Sequence, residues 1–445
     1  MNRRKFLKYF AGAALATGTA AGAYYLSSSA GTSLSITSET ATTSLNPIRS
    51  STTTLSSTFT SSEKEPRQGY PLLGNYDHWH TTIDLSEIDQ FARWNMLALN
   101  FETAYYAKSP LRKIKELNPD IKILAWISLG LFNPMPIMNG PLGGKFLNDS
   151  TEDWWIHTRG TGPPSMRRLQ MVAYYPSLVT PNPKSEFADS IVRFLQEEVL
   201  STDLYDGIFY DCVWDDGWIS QQLANADVTP TEYRDGITSI LQRTREEVGS
   251  EGLIMGNPGV QWGDNCQYWD YANGHYQENA LGDVFGSDWN EMWEIYQRNM
   301  RRVSPPPRSH WIGVDTQYRR KRDAYQNVLR LDLTNDDLRR MRLGLGTALL
   351  LDNGYFGFDK GDGWHGCGQQ WWFPEYYANL GFPSSNYEKA GDGTYRRRYD
   401  NGLVIVNPGF DRTIDLSVKY RDVATNEISD RIKVPARDAR LLITA

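Results

Sequence analysis

Cysteine is scarce in this sequence: only Cys212, Cys266 and Cys367 occur among its 445 residues. An odd number excludes a complete set of intramolecular disulfides, and the spacing of the three matches no zinc-binding motif. One pair could form a disulfide after export, but small buried thiols are the simpler interpretation. The cysteines therefore point neither to a disulfide scaffold nor to a zinc site.

Basic residues are outnumbered as well, with 46 Lys and Arg against 53 Asp and Glu, a net charge of −7. Nucleic acids and anionic membranes are bound by basic surfaces, so neither is expected to bind the globular part of this chain. The sequence also lacks a glycine-rich phosphate-binding turn after an early strand, and it lacks a Gly-x-Ser-x-Gly motif. These absences argue against a doubly wound nucleotide-binding sheet and against a serine esterase.

The N-terminus carries an export pattern. Arg3 and Arg4 precede a Phe-Leu-Lys segment and then an apolar run of small residues. Residues 1–26 are therefore predicted to be a twin-arginine signal peptide or an uncleaved anchor, which would tether the protein to a membrane. Residues 27–65 are rich in Ser and Thr and are predicted to be a flexible linker. We expect an extracellular or cell-surface protein, exported by the twin-arginine route.

Short apolar runs alternate with helical patterns through the next part of the chain, which is typical of βα units around a parallel sheet. Amphipathic helices are predicted at 185–198, 231–248 and 336–345, with Ser185 and Asn335 as N-caps. There are eight candidate strands, the number that closes a (β/α)8 TIM barrel. We therefore expect a catalytic barrel over residues 66–388. The predicted strands are 70–76, 94–101, 121–128, 207–211, 253–257, 271–275, 311–315 and 348–353.

The sequence pattern changes after the predicted barrel. Five short β-type runs are separated by turn sequences such as Asn401-Gly402 and Pro408-Gly409. Residues 389–445 are therefore predicted to be a small antiparallel, β-sandwich-like domain.

Polar residues at the C-terminal ends of barrel strands are candidates for function, because the active site of a parallel barrel forms there. The chain also holds 15 Trp and 25 Tyr, whose flat faces and polar atoms suit stacking on sugar rings. We expect the following residues to bind substrate: Asp77, His78, Asn100, Glu102, Trp126, Trp214, Trp218, Asn257, His275, Asp315 and Asp352.

Two carboxylates stand out among the acidic residues. Asp211 ends the apolar fourth strand and is followed by a Trp-rich loop, and Glu278 follows the sixth strand. Glycosidic cleavage needs one carboxylic acid to protonate the leaving oxygen, and a second carboxylate to attack or to activate water. The two residues are therefore predicted to form a catalytic pair, with Glu102 and Asp315 as rivals of Glu278. Whether the reaction retains or inverts the anomeric configuration stays open.

The segments around Asp211 and Glu278 resemble a known family. Residues 206–211, the loop after them and residues 273–278 resemble hypothetical glycosyl hydrolase-like family fifteen of the large (β/α)8 superclan. That superclan also holds the α-amylase, α-glucosidase and α-galactosidase groups. The likeness covers the barrel and extends into the terminal β-module. It implies a hydrolase of oligo- or polysaccharides without a cofactor, with Asp211 as nucleophile and Glu278 as acid/base.

Two other interpretations remain. One is a catalytically inactive carbohydrate-binding barrel, which would keep the aromatic platform but lack a close carboxylate pair. The other is a metal-dependent polysaccharide deacetylase or lyase that uses Asp77, His78 and His80. Because the sequence offers no clear third ligand beside the two histidines, hydrogen bonding to substrate is preferred over a metal site.

Overall fold

The computed structural model describes residues 69–78, 81–171, 177–215, 217–259, 262–263, 265–278, 281, 288–303, 308–315, 333–359 and 371–445. The predicted signal peptide and linker lie outside these ranges. Residues 68–445 form one compact unit. No helix in the described ranges is both long enough and apolar enough to cross a membrane.

Eight parallel strands close into a barrel in sequence order, each pairing with the next and the eighth with the first. The (β/α)8 TIM barrel predicted from the sequence is therefore confirmed. Strands β4 and β5 have the predicted bounds. The strands are β1 Leu72–Asp77, β2 Met96–Asn100, β3 Lys122–Ser128, β4 Gly207–Asp211, β5 Leu253–Asn257, β6 Gly274–Gln277, β7 Ser309–Asp315 and β8 Gly354–Asp359.

Side chains of alternate strand residues fill the barrel interior. The rings of Tyr76, Phe209, Tyr276 and Trp311 pack against one another with centroids 5.0–6.3 Å apart. Gly74 makes room for the largest of them, since a Cβ there would lie 2.7 Å from the Trp311 ring. Such aromatic packing forms a solid floor beneath the C-terminal ends of the strands.

Helices surround the barrel, and local sequence explains where several of them begin. Ser185 caps the helix that follows it by accepting a hydrogen bond from Phe187 N, as predicted. The last barrel helix is capped by Thr334 rather than by the predicted Asn335, in a capping box with Asp337. The α-helices are α1 Ile88–Phe91, α2 Thr103–Tyr106, α3 Lys108–Leu117, α4 Pro141–Asn148, α5 Glu186–Phe194, α6 Gly217–Gln222, α7 Pro230–Val248, α8 Trp289–Arg302 and α9 Asn335–Ala348.

The eighth strand lies further along the chain than predicted. The apolar run assigned to it, residues 348–353, contains the last residue of α9 and the turn that follows, and β8 begins at Gly354. A short apolar run fits a buried helix end as well as a buried strand, so periodicity alone did not separate the two. The shift moves Asp352 from the predicted C-terminal end of a strand to the opposite end of the barrel.

The C-terminal part is an antiparallel sheet that packs on α9. Its six strands form one sheet in the order β13-β12-β14-β11-β10-β9. The predicted small antiparallel β-domain is therefore confirmed, and its strands belong to a single sheet. A Cβ added at Gly346 of α9 would lie 2.6 Å from the Ala439 side chain, so helix and sheet are in close contact. The strands are β9 Glu388–Lys389, β10 Tyr395–Tyr399, β11 Gly402–Asn407, β12 Arg412–Asp422, β13 Ile428–Val434 and β14 Asp438–Thr444.

Candidate active site

Asp211, Asn257 and Glu278 meet at the C-terminal mouth of the barrel. Each stands two residues after an interior side chain of its strand, namely Phe209, Met255 and Tyr276. Because strand side chains alternate between faces, all three point toward the barrel axis. Asp211 and Glu278 are half-buried, whereas Asn257 is only 2% exposed.

The Asn257 amide joins the two carboxylates. Its Nδ2 donates to Asp211 Oδ1 at 2.8 Å and to Glu278 Oε2 at 3.1 Å. The two acceptor oxygens therefore lie no further apart than the sum of these two hydrogen-bond lengths, about 6 Å. The structure thus brings the two predicted carboxylates together.

The backbone directly after Asp211 is held in an unusual conformation. Cys212 has φ 59°, in the left-handed region that non-glycine residues rarely adopt, and its N–H donates to Asp211 Oδ1 at 2.9 Å. Burial raises the pKa of the Cys212 thiol well above its ordinary value, and the neighbouring Asp211 raises it further. The thiol is therefore protonated at neutral pH, and the backbone N–H of this residue orients the Asp211 carboxylate.

The loop after β4 is bonded to the segment that follows β5. Val213 N donates to Asn257 O at 3.0 Å, and Val213 O accepts from Trp262 Nε1 at 2.7 Å. Asp215 accepts from Gly263 N at 3.1 Å and forms an ion pair with Arg234 at 2.7 Å. These bonds explain Asp215 as a structural residue of the loop.

Three rings pack together at the C-terminal ends of β1 and β3. The His78 ring lies between Tyr76 and Trp126, with centroid distances of 4.4 and 4.5 Å. Trp126 Nε1 donates to the Tyr76 hydroxyl at 2.8 Å, which fixes the indole orientation. Asn100 Nδ2 donates to His78 O at 3.0 Å and so supports this residue from β2. We call Tyr76, His78 and Trp126 the aromatic wall.

Tyr76 was not among the predicted site residues, although His78 was. The two share one face of β1, so the alternation of the strand was a signal that could have identified Tyr76.

The tryptophans predicted to bind substrate have different outcomes. Trp126 belongs to the aromatic wall. The Trp214 ring packs over Gly130, where an added Cβ would lie 2.3 Å from the indole. The side chains of Trp218 and Asp315 lie outside the described part of the structure, so their predicted roles remain predictions.

Asp77 and His275 do not reach the mouth, which corrects their prediction as substrate ligands. Asp77 is fully buried on the face of β1 opposite to Tyr76 and His78. His275 is fully buried outside the barrel wall, where its ring stacks on Trp269 and His310 and its Nδ1 lies 3.2 Å from Asn299 Nδ2. Both predictions were wrong because they used only the position of a polar residue near the end of a strand. They did not consider which face of the strand the side chain occupies.

Glu102 and Asp352 are corrected as well. Both oxygens of the Glu102 carboxylate accept backbone hydrogen bonds from the start of α4, from Leu142 N at 3.1 Å and Gly143 N at 2.5 Å. Burial raises the pKa of Glu102, and the two N–H groups oppose that rise. Asp352 forms an ion pair with Arg397 of the C-terminal sheet at the N-terminal end of the barrel. Glu102 is therefore a helix cap and Asp352 part of a domain contact.

The ligand set considered for a metal-dependent reaction does not assemble as predicted. Asp77 and His78 lie on opposite faces of β1, so they cannot share one ion from these positions. His80 lies outside the described residues. Within the described ranges, no three or more His, Cys, Asp or Glu side chains are grouped as metal ligands.

Comparison with known proteins identifies one matching sequence family and several solved structures of low sequence identity. The sequence profile of hypothetical glycosyl hydrolase family 15 matches residues 115–403. No curated protein sequence matches the chain.

Solved structures with a similar fold include the ligand-free cyclic α-maltosyl-(1→6)-maltose hydrolase of Arthrobacter globiformis. It has 11% identity and a TM-score of 0.46, with 84% of this chain and 99% of that chain covered. Another is the isomalto-dextranase of Arthrobacter globiformis T6 complexed with panose. It has 12% identity and a TM-score of 0.45, with 85% and 73% covered. Such low identities and TM-scores say nothing about the reaction that this chain catalyses.

Proposed function

This chain belongs to hypothetical glycosyl hydrolase family 15, and on that premise we propose that it is an exported enzyme that hydrolyses a glycosidic bond in an oligo- or polysaccharide. The observation that carries the proposal is the pair of carboxylates, Asp211 and Glu278, joined by one amide at the barrel mouth. The paired arginines at the N-terminus support export by the twin-arginine route to the cell surface or beyond.

Asp211 acts as the nucleophile in this proposal. Its Oδ1 accepts hydrogen bonds from Cys212 N and Asn257 Nδ2, and N–H donors stabilise the ionised form that attacks. Oxygens of the two carboxyl groups lie within about 6 Å of each other. This favours a retaining enzyme, whose carboxyl groups are about 5–5.5 Å apart, over an inverting one, whose carboxyl groups are about 6.5–9.5 Å apart to admit a water. The proposed reaction is therefore a double displacement with retention.

Glu278 supplies and removes the proton. As Asp211 bonds to the anomeric carbon, the bond to the leaving oxygen breaks and that oxygen takes the Glu278 proton. Glu278 then deprotonates a water that attacks the same carbon, which releases the sugar and restores the Asp211 carboxylate. Trp126, the partly exposed ring of the aromatic wall, offers a face on which a pyranose in this position could stack.

The test uses a panel of 2,4-dinitrophenyl glycosides of both anomeric configurations. Asp211→Asn should lower kcat by about 10³-fold or more while the thermal unfolding midpoint stays close to that of the wild type. Asp203→Asn is the matched control, because Asp203 is exposed and has a left-handed backbone (φ 56°) that Asn also tolerates. Near wild-type turnover in Asp211→Asn would refute the assignment.

Glu278→Ala separates the two roles. An activated dinitrophenyl group leaves without protonation, so its release should occur as a burst followed by slow turnover, and azide should restore turnover by attacking the glycosyl-enzyme. The glycosyl azide should have the same anomeric configuration as the substrate, as retention requires. Binding of glycans without hydrolysis of any substrate would favour the inactive carbohydrate-binding barrel instead.

A further inference from the structure

Asn257 uses its whole side-chain amide within the protein. Nδ2 donates its two hydrogens to Asp211 and Glu278, and Oδ1 accepts from Gly259 N at 2.8 Å. An amide offers two donors, and here both are engaged. At 2% exposure the side chain has little surface left for a substrate hydroxyl.

The orientation of this amide follows from its neighbours. A flipped side chain would set its carbonyl oxygen against two carboxylates and its NH2 group against the Gly259 N–H. Both contacts would be repulsive, since two acceptors or two donors would face each other. The orientation with Nδ2 between the carboxylates is thus the one that satisfies every group.

We propose that Asn257 is a positioning residue, which holds the nucleophile on β4 and the acid/base after β6 at a fixed spacing, and that it does not bind the substrate. This inference rests on the proposed glycosidase function and replaces the prediction of Asn257 as a substrate ligand. β5 lies between the strands that carry the carboxylates, because it pairs with β4 on one side and β6 on the other. A single side chain at its end therefore reaches both.

Two consequences separate positioning from substrate binding. Misplacement of reacting groups by about 1 Å can cost about 10²-fold in rate, and it acts on kcat rather than on KM. Removing a shared N–H donor also disfavours the ionised form of both carboxylates, so both limbs of the pH–rate profile should move to higher pH. A lost substrate contact would raise KM and leave the profile where it was.

The experiment compares Asn257→Asp with Asn273→Asp on the best dinitrophenyl glycoside of the panel. Asn273 is a matched control: it is fully buried, its Oδ1 accepts from Ile254 N at 2.7 Å, and it lies at the opposite end of the barrel. Asn257→Asp should lower kcat by about 10²-fold with KM within about threefold, and shift both limbs upward by at least about half a pH unit. Asn273→Asp should lower the unfolding midpoint without moving the limbs.

A raised KM with an unmoved pH profile in Asn257→Asp would overturn the inference. If that variant does not fold, Asn257→Ser takes its place, since it removes the amide without adding a charge. Failure of the proposed function would differ: the wild type would hydrolyse no glycoside, or Asp211→Asn would stay active. An inactive Asp211→Asn beside an Asn257→Asp enzyme with wild-type kcat would refute the positioning role alone.

Discussion

Two histidines, His275 and His310, lie fully buried between the barrel wall and α8, with parallel rings and centroids 5.3 Å apart. Burial lowers the pKa of His310 to about 3. Burial also lowers the pKa of His275 well below its ordinary value, and the neighbouring His310 and Arg298 lower it further. Asn299 faces His275 and Gln277 faces His310, so amides surround rings that are neutral at pH 7.

These histidines should make the folded protein sensitive to acid. Below about pH 6.5 the unfolded chain binds protons that the buried rings do not, so the free energy of unfolding should fall as pH decreases toward 3. Each histidine should contribute a slope of about 1.4 kcal/mol per pH unit in that window. Urea unfolding between pH 4.5 and 8 measures the slope, and His310→Gln, which keeps a donor toward Gln277, should reduce it. An equal slope in that variant would contradict the assignment.

At the scale of an element, α4 shows how a distant strand can cap a helix. Its N-cap is Gly140, which has no side chain to satisfy the first N–H groups, and Pro141 occupies the first turn. Glu102, two residues after the end of β2, supplies the missing acceptor and is 3% exposed. The sequence between the two segments holds no sign of this contact, so Glu102 was interpreted as a substrate ligand.

Replacing Glu102 should therefore affect stability before it affects catalysis. Glu102→Ala leaves the first N–H groups of α4 without their carboxylate and should lower the free energy of unfolding by about 1–3 kcal/mol. Glu116→Ala, which loses only an exposed pair with Lys113, should change it by less than about 0.5 kcal/mol. Urea unfolding measures both variants. A raised KM in Glu102→Ala with unchanged stability would restore the substrate-binding interpretation.

At the scale of the whole molecule, buried charges join the barrel to the C-terminal sheet. Asp438 of β14 is buried and accepts from Arg342 of α9 at 2.8 and 3.0 Å and from Arg440 at 2.7 Å. Arg440 also pairs with Asp422 at 3.1 Å. Together with the contact of Gly346 on Ala439, these bonds make helix and sheet parts of one packed body.

Asp438→Asn should show how much this contact contributes. It removes the buried charge between the guanidinium groups of Arg342 and Arg440 and should lower the free energy of unfolding by about 3–5 kcal/mol. Asp415→Asn is the matched control in the same sheet, because Asp415 is 82% exposed and pairs with Arg431 only at 3.6 Å. It should change stability by at most about 1 kcal/mol. Equal losses in both variants, measured by urea unfolding, would argue against a buried network between the two parts.

Hydrophobic periodicity predicted an element correctly where its apolar pattern fits only one type of secondary structure. The runs 207–211 and 253–257 coincide with β4 and β5, since both faces of a central barrel strand are apolar. The positions of Asp211 and Glu278 could also be predicted from the sequence. Each follows an apolar strand, so each is expected at the C-terminal end of the barrel. The run 348–353 was misassigned, since Leu349, Leu350 and Leu351 suit a buried helix end equally well.

Local sequence patterns predicted the alternation of strands and helices, the terminal β-module and the two carboxylates. The closed barrel decided which face each polar residue occupies: His78 turns inward and Asp77 outward, and His275 leaves the mouth entirely. It also decided the partners of Glu102, Asn257 and Asp352. The physical reason is that hydrophobic periodicity is a local property, whereas hydrogen bonds between distant segments exist only once the barrel closes and brings the strand ends together.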